Sequence, residues 1–498
     1  MQVVSVLFYL LVILRQAKTN PHEHGEQTKT SGGRLGLLLA LAVGAAAWLS
    51  VIWLGFISDD FVFISAVRHT GLSNLWKFLG GQQPGIFFRP VGFVMIFLDY
   101  HLWGQWPAGY HATNLLIHLL TVAGLFFLCE ELGFGTEVAA TASLSFAILP
   151  IHAEAVTWMV SRFDLLSACF SVWAIVFYLR FRHQGAKGAY IAALVFFLLA
   201  ALSKENAYVV PILLILAEHL LLPNRRVRPL LGFVSLAIAL FCYRWIVLGG
   251  IGGYSDSQGQ PATLQLGSKT FEGVFIRGPA QLLLGYNWLQ PPVFAISMVA
   301  SLTAAVLVAL ALGAGVGPGG WKRTAFCASW IALTIAPAHP LLLIGAGLPN
   351  SRILYLGSVG LALLIALLLA GLSAATRIRR ATAAALVLLL TLGVIHNLAA
   401  WRRTSHLSDE FFSELKQLEP SPPPHAEFVF HDMPDTIRGV FFLREGLSEA
   451  IRMAYDRDDL GAMRVSGGPV SPSDTRQVSI VELQWAGETP PLLQSFRN

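Results

Sequence analysis

The chain has 498 residues, 55% of them hydrophobic and 13% charged, with a formal net charge of +5. A soluble globular protein carries about 25% charged residues, and half that density cannot cover a water-facing surface of this size. The basic residues sit in short loops between apolar runs, so the positive balance reads as membrane orientation and not as a nucleic-acid surface.

Residues 2–14 are apolar but short, with no basic residue before them and no small-residue cleavage site after them. They fit a signal peptide poorly. They read as an interfacial helix or an early start site, and 1–34 is set aside as an N-terminal segment ending in a basic linker. Charge-free runs follow at 35–57, 190–203, 231–243, 293–320, 353–376 and 381–395. A spanning helix needs about 20 mostly apolar residues, and in lipid every backbone amide must be paired within its own segment. Hydropathy and loop charge together predict an all-α polytopic membrane protein with about 11 spans. They lie at 35–57, 110–129, 136–151, 163–181, 188–203, 206–222, 229–249, 292–314, 324–346, 353–372 and 381–400. Cys129, Cys169, Cys242 and Cys327 all fall in or beside these runs and are expected to be unpaired.

Five basic clusters set the orientation. They are Arg15, Lys18, Lys29 and Arg34; Arg180, Arg182 and Lys187; Arg225, Arg226 and Arg228; Lys322 and Arg323; and Arg377, Arg379 and Arg380. The span count puts all five on one side, the cytoplasm. The other face then holds the long first loop 58–109, the loop 249–292 and the tail 402–498. Within the first loop, 91–103 is apolar but carries Asp99, and reads as a helix along the membrane surface. The tail has a proline hinge at 420–424. After it, 427–431 and 478–485 read as strands and 447–455 as a helix, a small α/β domain marginal on its own. Residues 35–401 thus form the membrane domain.

The chemistry-bearing residues gather at that outer face. Asp59-Asp60 follows the first span directly. An adjacent acid pair there reads as a general base or metal ligand, or as an N-cap for the helix that follows. Arg89-Pro90, His111, Asn114 and His118 come next, the last two on one helical face, where interhelical hydrogen bonding is the bland reading. His152 and Glu154, then Arg162 and Asp164, flank the third and fourth spans. Lys204-Glu205 lies between two apolar runs and Arg352 opens the tenth span, with Tyr355 behind it. Surface ion pairing and snorkelling are the bland roles of these cations. A guanidinium is also a natural grip for phosphate. A pump or pore would instead place its acids at mid-bilayer.

The order of these motifs resembles the C-type glycosyltransferase superfamily. The span ending in Asp59-Asp60 precedes Arg89-Pro90, the run from Tyr110 to His118, His152-Ala153-Glu154, and Arg162-Phe163-Asp164. Lys204-Glu205 and Arg352-Ile353-Leu354-Tyr355 complete the order. The likeness, over roughly 35–405, is strongest to the transmembrane, tetratricopeptide-repeat O-mannosyltransferases and their bacterial relatives. The resemblance implies a polyprenyl-phosphate sugar as donor, Asp59 or Asp60 as catalytic carboxylate, and Arg162, Lys204 and Arg352 around the donor phosphate. Arg89, His111, His152, Glu154, Asp164, Glu205 and Tyr355 are further site candidates. The chain departs from the pattern twice. Its tail shows no tetratricopeptide repeats, and Ser351 stands where an acidic residue usually precedes the arginine.

The reading is therefore an inverting hexosyltransferase of the cell membrane. Its partners are a lipid-linked sugar donor, an acceptor protein, glycan or lipid, and membrane lipids, with no nucleic acid. No cofactor or metal is expected. A rival mechanism places a divalent ion among Asp59, Asp60, His152 and Glu154, and a rival class is a transporter or flippase of lipid-linked substrates, without chemistry. The orientation can be tested directly. Alkaline phosphatase, active only outside the cytoplasm, should be active when fused after Leu407 and silent after Pro223. The reverse pattern would overturn the assignment of faces.

Overall fold

The computed structural model describes residues 27–81, 87–253, 267–287, 320–336, 348–371, 376–465 and 479–495. The expected span at 292–314, part of that at 324–346 and the apolar start 2–14 lie outside the described residues.

The described chain is mostly helical. Helices α1 (Gln27–Trp48), α2 (Asp60–Arg68), α3 (Pro90–Trp103), α4 (Pro107–Glu131), α5 (Thr136–Ala147) and α6 (Ala153–Thr157) build the first half with their connecting turns. Then come α7 (Arg162–Gln184), α8 (Lys187–Ser203), α9 (Val210–Leu220), α10 (Arg228–Leu248), α11 (Gly320–Ile335), α12 (Gly357–Gly371) and the long α13 (Thr376–Leu418). Among the described residues, five stretches are long and apolar enough to cross a membrane: Gly33–Trp53, Pro107–Glu131, Met159–Gln184, Arg228–Leu248 and Arg379–Leu418. The pair Thr136–Ala147 and Pro150–Thr157, bent by 48°, makes a sixth if it is one broken span. Helices α8 and α12 are apolar but shorter. The loop expected at 249–292 is partly helical, with a π-helical stretch Glu272–Arg277 between helices Ser268–Phe271 and Gly278–Leu283.

Local chemistry sets the helix ends. Pro90 and Pro107 open α3 and α4 at first-turn positions, where a missing N–H costs nothing. Gly185, at φ +71°, closes α7 by donating its N–H back to Phe181 O at 2.8 Å, a left-handed cap that a Cβ would strain. Inside the bundle, polar side chains tie helix to helix. Trp48 Nε1 donates to Ala147 O at 2.8 Å, Ser167 Oγ to Asn206 at 2.6 Å and Trp330 Nε1 to Leu356 O at 2.9 Å.

The bundle has two chemically different ends. At one, Arg180 pairs with Glu131 at 2.8 Å, Arg379 with Glu137 at 3.0 Å, and Arg323 donates to Gly133 O at 3.2 Å. Arg182 meets Glu218, which also accepts from Tyr178 and from the backbone N–H of Arg226. Four of the five basic clusters are represented there, by residues that meet the segment 131–137 or Glu218, as the loop-charge pattern requires. The site residues occupy the opposite end.

Helix α13 runs unbroken for 43 residues, about 64 Å at 1.5 Å per residue, twice the roughly 30 Å of a bilayer core. The helix thus carries on beyond the expected span end at 400, as far as Leu418 just before the proline hinge. Its polar half is amphipathic, with Leu407, Phe411 and Leu415 fully buried at four-residue intervals. That stripe backs a small sheet of β1 (Glu427–His431), β4 (Gly461–Val465), β5 (Ile480–Trp485) and β6 (Leu493–Ser495), in the order β4-β1-β5-β6. Strand β1 is parallel to both neighbours, and β6 is antiparallel to β5. Helix α14 (Leu447–Tyr455) makes the crossover from β1 to β4, and a hairpin of β2 (Thr436–Ile437) and β3 (Val440–Phe441) precedes it. Phe411 lies 5.2 Å from the ring of Phe430. The small domain thus completes its core on the membrane helix, which explains how so few residues hold a fold.

The same helix fixes the first loop. Arg402 donates to Ser50 Oγ at 2.6 Å, Ser405 Oγ accepts from Gly55 N at 2.7 Å, and Ser408 Oγ donates to Phe56 O at 3.4 Å. This ladder holds the segment 54–57 that leads into Ser58 and Asp59.

Candidate active site

The chain turns sharply after that segment. Ser58 has φ +46°, a sparsely populated conformation for a residue with a Cβ. The turn sends the two aspartates in different directions. Asp60 is fully buried, and its two oxygens accept from Ile57 N at 3.1 Å and Val160 N at 3.2 Å. Burial pushes its carboxyl well above the usual range, against the pull of those two N–H groups. Asp59 stays half-buried and holds the N-cap position of α2 without capping it. Its neighbour is Ser58 Oγ at 3.2 Å. Burial also pushes Asp59 up, and Arg352 is the strongest influence pulling it back. The acid pair therefore divides: Asp60 pins the loop to the turn at 158–161, and Asp59 is left open.

Arg352 sits in a turn built around Glu154. Asn350 adopts a left-handed conformation, φ +67°, ahead of the short helix Ser351–Leu354. Glu154 gathers the N–H of Asn350 at 3.1 Å, Ser351 Oγ at 3.2 Å, and both the backbone N–H (2.8 Å) and Nη1 (2.6 Å) of Arg352. Successive N–H groups converging on one carboxylate form a nest. The Arg352 guanidinium lies over the Trp158 ring at 4.8 Å and keeps 19% of its side chain exposed. Glu154 is thus the acidic partner of that arginine, in place of the residue that Ser351 replaces.

From Arg352 a string of alternating charges runs across the end of the bundle. Arg352 Nε is 3.8 Å from Asp164, and Asp164 takes Lys204 Nζ on both oxygens at 2.6 and 2.7 Å. Burial pushes the Lys204 ammonium below its usual range, and Asp164 opposes that. Beside it Glu205 pairs with Arg89 and lies 3.6 Å from Arg244, while Arg89 stacks over Phe87 at 4.0 Å. Asp59, Arg352, Glu154, Asp164, Lys204, Glu205 and Arg89 therefore share one end of the bundle.

Other candidates are placed elsewhere. Arg162 is fully enclosed, with Asp99 at 2.5 Å, Asn114 Oδ1 at 2.9 Å and Tyr110 O at 2.9 Å. That network leaves no exposed face for a lipid phosphate, so Arg162 serves as scaffold. His152 points into the bundle, 2.7 Å from Ser358 Oγ, with its ring centroid 4.6 Å from that of Tyr355. Tyr355 in turn hydrogen-bonds His118 at 2.7 Å, and Asn114 Nδ2 donates to Trp158 O at 3.0 Å. His111 is buried among the helices. Asn114, His118, His152 and Tyr355 are interhelical glue. The four side chains of the rival metal site thus point apart, and among the described residues no three His, Cys, Asp or Glu side chains gather as a metal site.

Sequence reasoning gave no role to Asp99, Trp158 and Arg244, or to the tail residues over Asp59. Glu445 N donates to Ser58 Oγ at 3.4 Å, and Arg68 of α2 pairs with Asp456 beyond α14. The one available signal was Asp99 itself, a charge in an apolar stretch, which demands a partner.

No protein-family model matches the chain. A stretch of 118 residues is 34% identical to Protein O-mannosyl-transferase TMTC1 of Homo sapiens, covering 23% of this chain and 13% of that protein. Over 157 residues the chain is 31% identical to Protein O-mannosyl-transferase TMTC3 of Homo sapiens, covering 29% and 17%. The chain spans less than a fifth of the length of these relatives. Among solved structures, the apo Archaeoglobus fulgidus oligosaccharyltransferase superposes with a TM-score of 0.46 at 13% identity, over 88% of this chain and 65% of that one. ArnT from Cupriavidus metallidurans, bound to undecaprenyl phosphate, superposes with a TM-score of 0.37 at 16% identity, over 86% and 89%. The resemblance to transmembrane O-mannosyltransferases read from the motifs is borne out by the sequence relatives.

The division of the acid pair has a measurable consequence. In Asp60→Asn an amide NH2 must face one of two backbone N–H groups, leaving a buried donor unmet at a cost of about 1–3 kcal/mol. Asp59→Asn disturbs no such pair. Thermal melting in detergent should therefore fall for Asp60→Asn and hold for Asp59→Asn; equal melting of the two would contradict the assignment.

Proposed function

We propose that the chain is a membrane glycosyltransferase that moves a hexose from a polyprenyl-phosphate carrier to an acceptor hydroxyl on the extracytoplasmic face. The observation that carries this is the open Asp59 carboxylate beside a partly exposed Arg352, at the end of a string of buried cations. The sequence relatives support it, and their names make mannose the first sugar to test.

The acceptor O–H docks on Asp59. As its oxygen attacks the anomeric carbon, the proton passes to the Asp59 carboxylate and the bond from that carbon to the phosphate oxygen breaks. Attack opposite the leaving group inverts the anomeric centre. The polyprenyl phosphate leaves with the bonding electrons, and its charge is met by Arg352, with Lys204 held behind it by Asp164. These cations are held ready by Glu154 and Asp164, so little reorganisation accompanies the reaction. Placing both reactants against a fixed base removes much of the entropic cost of bringing them together.

The test is transfer from polyprenyl-phosphate mannose by purified protein in lipid nanodiscs. Asp59→Asn should melt like the wild type and turn over at least about a hundredfold more slowly, because an amide cannot accept the proton and a general base contributes about 10²–10⁴-fold. Transfer at the wild-type rate would remove Asp59 as the base.

A further inference from the structure

The turn that leads into α14 of the small domain sits directly on the loop that carries Asp59. Phe442 and Leu443, both fully buried, anchor this turn in the small domain. Arg464 holds it from behind, donating to Phe442 O at 2.7 Å, to Pro434 O at 2.8 Å and to Asp435 Oδ1 at 2.6 Å. Leu443, at φ +45°, and Gly446, at φ +75°, then swing the chain into α14. A Cβ at Gly446 would lie 2.9 Å from both Ser58 O and Val62 Cγ2, so only glycine allows this approach. Glu445 N donates to Ser58 Oγ at 3.4 Å, and Ser58 Oγ donates to Asp59 Oδ1 at 3.2 Å. Two hydrogen bonds thus join the turn to the Asp59 carboxylate.

Arg444 projects from the same turn with 44% of its side chain exposed. Its guanidinium lies over the Phe441 ring at 4.3 Å, and the Glu445 carboxylate is 3.9 Å away, too far for a hydrogen bond. An exposed pair at that distance is worth little. Stacking on a ring therefore steadies the guanidinium while its fork of N–H donors stays available to a ligand. The Phe441 ring is 5.7 Å from that of Trp158, and the Arg352 guanidinium lies over Trp158 at 4.8 Å. Two arginines bracket one pair of rings, one held by the bundle and the other by the small domain. Both act on Asp59: burial raises its carboxyl, Arg352 opposes that most, and Arg444 opposes it too, against Glu445.

A lipid-borne donor reaches the site from the membrane, on the side of Arg352. The acceptor then approaches from the water, past the small domain. We infer that Arg444 is a specificity residue for the acceptor, its guanidinium taking a carboxylate or phosphate carried beside the hydroxyl that docks on Asp59. A planar fork of donors suits either anion. The inference deepens the glycosyltransferase reading and rests on it for the role of the bound anion.

Methyl glucoside and methyl glucuronide are matched probes that differ only at C6, CH2OH against carboxylate, and methyl glucoside 6-phosphate puts a phosphate there. With polyprenyl-phosphate mannose as donor and the protein in nanodiscs, kcat/KM should favour an anionic acceptor over the neutral one by about tenfold or more, the worth of a charge-assisted hydrogen bond. The arm that shows the preference names the anion. Arg444→Gln should bring the ratio to about one, and Arg444→Lys, which keeps the charge without the fork, should restore part of it. A purely structural role would slow all acceptors alike and leave the ratio standing. A wild type without preference, or a preference that survives in Arg444→Gln, overturns the assignment. So does a raised KM for the donor with the acceptor ratio unchanged, which would put Arg444 on the donor side. Saturation-transfer NMR separates this inference from the reading beneath it. If an anionic glycoside binds the wild type, binds Arg444→Gln about tenfold more weakly and is never a substrate for transfer, the anion site stands and the glycosyltransferase reading fails.

Discussion

Glu154 collects four donors within a single turn of chain, two of them from Arg352. A charge at the edge of a membrane bundle persists only when an opposite charge meets it, and this carboxylate is the point from which the rest of the string is tied. Arg352 is shared with Asp164, Asp164 holds Lys204, and the adjoining Glu205 holds Arg89. Removing one partner of such a pair leaves an uncompensated buried charge, at a cost of about 3–5 kcal/mol. The cations are therefore fixed in place before any anionic lipid arrives. Burial works against the Lys204 ammonium, and Asp164 opposes it.

The second constraint is the long helix α13. One face of it closes the bundle, hydroxyls along it clamp the segment before Asp59, and its outer half supplies the floor of the small domain. The small domain reaches back over the loop through Glu445 and Asp456. Loop, helix and domain thus meet around Asp59.

The sequence made some of this legible and hid the rest for physical reasons. Strand β1 and helix α14 occupy the expected residues, because alternation and a strong amphipathic period are local signals. Strand β4, Gly461–Val465, carries a glycine and an arginine and gives no such signal; it is a strand because β1 is beside it. The stretch after Arg402 is polar and carries no span signal, yet it continues helix α13 because one stripe of it is buried. Pairing was the least legible feature. The partner of Arg352 lies 198 residues away, and Arg162 is claimed by an aspartate in a stretch read as interfacial. Motif order places such residues at one membrane face but cannot say which of them are paired off and which remain open. For Asp59 and Asp60 that difference is made by a single turn at Ser58.

The account stands on Asp59 acting as the ionised base, and the pH dependence of sugar transfer tests this most directly. An ordinary aspartate titrates near pH 3.9, and burial raises Asp59 above that. Below the raised pKa the carboxyl is protonated and cannot accept the acceptor's proton, so the rate should fall as the pH is lowered, with its midpoint above the ordinary value. The residual transfer by Asp59→Asn should lack this limb. An acid limb that persists unchanged in Asp59→Asn would show that another group carries the proton, and would contradict the account.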